Sequence, residues 1–89
     1  MVIPVKIKVS GYKEYILDAQ IDTRAMRKYC KFKAILAYYW KSTQVQFRAI
    51  NKQLIKIPYI ALNFPILLGS QEVYVTLYNY DNGVDMLLG

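Results

Sequence analysis

The sequence predicts an all-β fold. Apolar residues alternate with polar ones along several short stretches, the period of a half-buried strand. Turn-forming residues such as Ser10-Gly11, Gly69-Ser70 and Asp81-Asn82-Gly83 punctuate those stretches. Aromatic residues, nine of them Tyr, are plentiful and favour strands. About seven short strands joined by such turns indicate a small barrel or sandwich.

Taken in order, Ile3, Val5, Ile7 and Val9 alternate with Pro4, Lys6 and Lys8 and predict the first strand. A second follows the Ser10-Gly11 turn, from Tyr12 to Ile21, with Tyr15, Leu17, Ala19 and Ile21 on one face. These two make a hairpin whose second arm ends at Asp22. Residues 26–43 are ambiguous. Phe32, Ile35, Leu36, Tyr39 and Trp40 follow a helical spacing, while the aromatic content favours a strand. The preferred reading is a strand from Cys30 to Ile35 and then an irregular loop, with a short helix inside 33–41 as the alternative. Val45, Phe47 and Ala49, then Ile55, Ile57 and Tyr59, form the arms of a second hairpin with its tip at Ala49 to Lys52. Pro58 limits pairing near its base. Ile60 to Leu68, interrupted by Pro65, continues as a strand. Val73, Val75 and Leu77 mark another, opposite Tyr74, Thr76 and Tyr78. Asp81 opens a turn, and Val84 to Leu88 is a short buried strand.

The 89 residues form one domain, 1–89, small enough that a single core is marginal and oligomerisation is a common remedy. At 55% hydrophobic the chain is too apolar for disorder. The net charge of +6 permits a nucleic-acid partner, although no dense basic run appears and solvated strand faces accommodate the same residues. Cys30 is the one cysteine, so neither an internal disulfide nor a Cys-based metal cage is expected, and it reads as a small buried hydrophobe. The absence of His excludes Ser-His catalytic pairs and His-ligated zinc. No cofactor is expected. No apolar run approaches the ~20 residues of a membrane-spanning helix, and no signal peptide is visible.

The chemistry centres on Asp22. An Asp after a strand is most often a turn residue. It becomes catalytic only with a partner, because acid-base hydrolysis of a peptide needs one ionised and one protonated carboxyl. Two carboxyls about 3 Å apart share a single proton. The ionised member takes a proton from the attacking water while the other donates to the carbonyl oxygen. A chain with one such Asp obtains the pair by twofold dimerisation. Asp18 and Asp85 are weaker candidates on pattern.

Ile21-Asp22-Thr23-Arg24-Ala25, followed by a hairpin and then Asp81-Asn82-Gly83-Val84-Asp85-Met86-Leu87-Leu88-Gly89, resembles the retropepsin-like aspartic proteases, and among them the proteases of plant pararetroviruses. The resemblance runs through nearly the whole chain in order and spacing. It implies a small closed barrel with a flap hairpin, one subunit of a homodimer that processes a viral polyprotein in host cytoplasm or virion. It further implies that Asp22 is the catalytic acid, and that the Thr23 hydroxyl bonds across the dimer axis. On the same resemblance, Ala25 would lie beside the substrate backbone, and Ala49, Ile50 and Asn51 would belong to the flap tip. Leu87 and Leu88 lie beneath the catalytic loop, with Gly89 following. Apolar substrate pockets would come from Ile50 and Leu87, with Val45 or Phe47.

Two departures qualify this. Arg24 stands where the family carries Gly, and a guanidinium beside Asp22 would crowd the substrate and lower the acid's pKa. The family's following helix and terminal strand have no counterpart after Gly89, which implies a weakened or monomeric subunit. The alternatives are therefore a protease-fold module that does not turn over, and a basic β-barrel binding nucleic acid through Tyr stacking and Lys/Arg contacts.

Overall fold

The computed structural model describes residues 2–9, 15–22, 25–49, 51–81 and 83–89. Seven strands run in the order β1 (Val2–Val9), β2 (Tyr15–Asp22), β3 (Tyr29–Cys30), β4 (Lys41–Arg48), β5 (Leu54–Leu68), β6 (Gln71–Asn79) and β7 (Met86–Leu88). They form one mixed sheet in the spatial order β1-β2-β7-β3-β6-β5-β4. The all-β expectation is met. β1 also meets β5, through Lys8 opposite Leu67 and Val9 opposite Ile66, so the sheet curls on itself without becoming a fully closed barrel. The Ser10-Gly11 turn lies outside the described residues.

Most neighbours are antiparallel, but β7 is parallel to β2 and β3 is parallel to β6. The last strand inserts between β2 and β3, two strands that do not pair with each other. Its register sets Met86 opposite Ala19 and Leu88 opposite Ile21 on one side, and Met86 opposite Cys30 on the other. Met86 and Leu88 are buried and Leu87 is half-buried, the alternation a strand imposes.

The stretch expected to hold a strand from Cys30 to Ile35 is different. β3 stops at Cys30, and two single 3-10 turns follow at Phe32–Ala34 and Ala37–Tyr39. The helical spacing does not become an α-helix. Neither turn has a side-chain cap, and Ile35 between them is extended. Ile35 and Trp40 are buried, while Phe32 and Leu36 of the same stripe face solvent. The Trp40 indole N–H donates to the Phe32 carbonyl at 2.9 Å, and the two rings stack, which pins the turns locally.

Residues 54–68 form one long strand, which Pro65 does not interrupt. Its first half pairs with β4 and its second with β6. The change of partner coincides with an irregularity between Ala61 and Phe64, where Asn63 takes φ 53°, a left-handed conformation that Asn tolerates better than most residues. Pro58, which has no N–H to donate, lies where the β4–β5 ladder skips between Ser42 and Val45.

The core gathers Leu17, Ala19, Cys30, Ile35, Trp40, Ala61, Phe64, Ile66, Leu77, Met86 and Leu88. Phe64, fully buried, packs edge-on against Tyr39 with ring centroids 4.8 Å apart. Cys30 is buried as expected, and burial, followed by the charge of Asp85, pushes its thiol up to about 12. Among the described residues, no helix is long and apolar enough to cross a membrane.

Candidate functional site

β2 carries a buried apolar face, Leu17 and Ala19, up to the half-buried Asp22 at its end. The chain turns there, with the Ala25 N–H donating to the Asp22 carbonyl at 3.0 Å. Thr23 and Arg24 lie outside the described residues. β7 runs alongside, and Gly89 follows Leu88 against the far side of the turn. A Cβ on Gly89 would come within 2.5 Å of the Ala25 carbonyl oxygen and 3.4 Å of that of Arg27. Contact at the first distance is prohibitive for backbone, so only Gly lets the end of β7 approach the turn this closely. The ammonium of Lys28 reaches the Gly89 carbonyl at 3.5 Å.

Facing this turn is the hairpin of β4 and β5. Its tip is closed by the Ala49 N–H donating to Gln53 O and the Lys52 N–H donating to Ala49 O, both at 2.8 Å. The Asn51 side chain accepts from the Gln53 N–H at 3.0 Å, an Asx-type brace. Lys52 completes the turn with φ 66°. Ile50 lies outside the described residues.

Between the turn and the hairpin is a groove of about 730 Å³. Asp22, Ala25 and Leu87 line one side, and Ala49 and Asn51 the other. Residues far apart in sequence, singled out for one site, thus share one concavity. Phe47 also lines it, but Val45 does not: it faces a separate groove with Gln44, Lys56 and Pro58. Asp18 and Asp85 line a third groove with Pro4, Gln20 and Gly83, away from Asp22. Asp81 is a turn residue, its carboxylate accepting from the Gly83 N–H at 3.0 Å. No group of three or more metal-binding side chains occurs among the described residues.

No known family model matches the chain, and no curated protein does.

Sequence reasoning missed Arg27, Tyr29, Ile55 and Tyr80, which also line the groove. Arg27 lies over the Phe47 ring, its guanidinium carbon 3.8 Å from the centroid. Its one sequence signal is position, five residues after Asp22 in the same loop. Tyr29 and Tyr80 come from β3 and the end of β6 and touch each other at 5.8 Å between centroids. Only the pairing of β3 with β6 brings them together.

Beside the groove the surface is apolar. Val2, opposite Asp22 in the β1–β2 ladder, is 43% exposed, and Ile3, expected on a half-buried face, is 41% exposed. Met26, four residues after Asp22, lines the groove itself and is 88% exposed.

Proposed function

We propose that the chain is a retropepsin-like aspartic endopeptidase subunit that cleaves a polyprotein as a homodimer. One observation carries the reading: Asp22 ends an apolar strand, is backed by the inserted Met86–Gly89 segment, and opens into a groove facing a β-hairpin. That hairpin is the flap of the proposal, and the curled sheet its barrel. Asp22 is the catalytic acid. Two copies of it, brought together on a twofold axis, share one proton: one activates water, the other protonates the scissile carbonyl. Thr23 would brace the paired loops. Exposed Val2, Ile3 and Met26 near Asp22 supply apolar surface that a second subunit would cover. Leu87, Ala25, Ala49 and Asn51 contact the substrate, and Ile50 is assigned the same role from the sequence resemblance.

A second reading has one specific support, Arg24 in place of the small residue expected beside the acid. On that reading the chain keeps the protease architecture and binds peptides without turnover.

The test is incubation with a polyprotein fragment at mildly acidic pH, alongside sedimentation of the chain. Cleavage that disappears in Asp22→Asn, from a species sedimenting as a dimer, supports the peptidase. Cleavage by Arg24→Gly but not by the natural chain supports the second reading. Cleavage that survives Asp22→Asn sinks both.

A further inference from the structure

We propose that Arg27 makes this groove selective for an acidic side chain in the bound peptide. The inference rests on the peptide-binding reading of the groove and adds the chemistry of what it prefers.

The described charged residues lining the groove are Asp22, Arg27 and Arg48. One acid against two cations leaves the walls basic, within a chain of net charge +6. The two arginines come from opposite walls, Arg27 from the loop after β2 and Arg48 from the end of β4. They are held differently. Arg48 donates to the Lys52 carbonyl at 3.3 Å and is thereby tied to the hairpin turn. Arg27 instead lies over the Phe47 ring, its guanidinium carbon 3.8 Å from the centroid.

That stacking determines what Arg27 can do. A guanidinium over an aromatic ring satisfies its π-face, while its N–H donors point outward in the ring plane. Because Arg27 lines the groove, such donors are within reach of a bound carboxylate, which their fork geometry fits. Phe47 in turn is fixed by an edge-to-face contact with Tyr78, centroids 5.0 Å apart, so the platform beneath the cation is itself anchored to β6. Arg27 is solvent-exposed and Phe47 half-buried, so a peptide laid over Phe47 meets the guanidinium without any rearrangement of the core. Preorganisation of this kind lowers the ordering cost that a free surface arginine would bear on binding. Apolar wall residues, Leu87 and Ile55, seat aliphatic side chains in the same groove, so the peptide that fits best combines an apolar centre with a flanking Glu or Asp.

The experiment uses fluorescein-labelled decapeptides with an apolar centre, in which one flanking position at a time carries Glu, Gln or Lys. Binding to the full chain carrying Asp22→Asn is read by anisotropy, and cleavage by the natural chain and by Arg24→Gly is read by mass spectrometry. At one or two positions Glu binds about threefold to tenfold tighter than Gln, the range of an exposed, charge-assisted pair. The ratio falls to about one in Arg27→Gln and reverses toward Lys in Arg27→Glu, with unchanged thermal melting. Arg48→Gln keeps most of it. Raising salt shrinks it.

Peptides that bind equally whether they carry Glu or Gln overturn the role of Arg27 and leave the peptidase reading standing. A preference lost in Arg48→Gln but kept in Arg27→Gln overturns the assignment to Arg27. Selective binding of Glu peptides without cleavage by either form supports the acidic preference and sinks the peptidase reading. No binding of any peptide overturns both.

Discussion

Truncating the inserted strand tests the architecture on which the site depends. Met86 has no exposed surface and sits between Ala19 of β2 and Cys30 of β3, so Met86→Ala opens a cavity where three strands meet. Large-to-small changes at such sites cost about 2–5 kcal/mol. Its neighbour Leu87 is half-buried and faces the groove, so Leu87→Ala loses roughly 1 kcal/mol of transfer free energy, about half that of a fully buried side chain. A small domain loses roughly 1 kcal/mol of stability per molar urea. The midpoint should therefore fall by at least about 2 M for Met86→Ala and by about 1 M for Leu87→Ala. The fluorescence of Trp40, buried in the same core, reports the transition. If the parent is only about 5 kcal/mol stable, a cost at the top of that range brings Met86→Ala to its midpoint without urea. Met86→Leu, which conserves volume and costs under about 1.5 kcal/mol, is the folded reference. The reverse order, Leu87→Ala costing more than Met86→Ala, would refute the reasoning, because a one-residue slip of β7 exchanges its buried and groove-facing residues.

Asp22→Asn removes the acid-base pair and should lower cleavage by at least about 100-fold with thermal melting unchanged, whereas Arg24→Gly should raise it; unequal melting temperatures for Asp22→Asn and parent would point to a structural role instead. The Cys30 thiol, held up to about 12 by burial and Asp85, should resist iodoacetamide at neutral pH until urea unfolds the chain, as followed by intact mass. The ordinary value of the thiol is 9.0, so the unfolded chain releases this proton first. The stabilisation linked to Cys30 is thus complete below pH 9 and is lost as pH rises toward 12, a loss that Cys30→Ala should abolish in melts across that range. Lys52→Gly, at φ 66°, should stabilise the hairpin by up to about 1 kcal/mol in urea melts, while Asn63→Val, at φ 53°, should destabilise by about 1–2 kcal/mol.

Much of the architecture was legible because strand periodicity is local. The alternation of Leu17 and Ala19 with Ile16 and Asp18, or of Val45 with Gln44 and Gln46, states which residues share a face without reference to partners. Asp81 and Gly83 likewise form their turn from adjacent atoms. Residues 31–40 were not legible, because their spacing suits a helix and their composition a strand. The outcome there depended on where Ile35 and Trp40 could be buried. Pro58 limits pairing as its missing N–H implies, and the ladder skips there, whereas Pro65 does not interrupt the strand but pairs with Tyr74, and the irregularity at Asn63 lets that single strand serve two partners.

The sequence by itself determined the strand class, the buried cysteine and the turns at Gly69-Ser70 and Asp81, since each follows from the covalent and steric preferences of a few consecutive residues. Only the tertiary structure decided that the last strand inserts between β2 and β3, that Gly89 closes on Ala25, and that Arg27 lies over Phe47. Those contacts join residues 20 to 67 positions apart. Their energies depend on how the whole sheet curls, which no local pattern encodes.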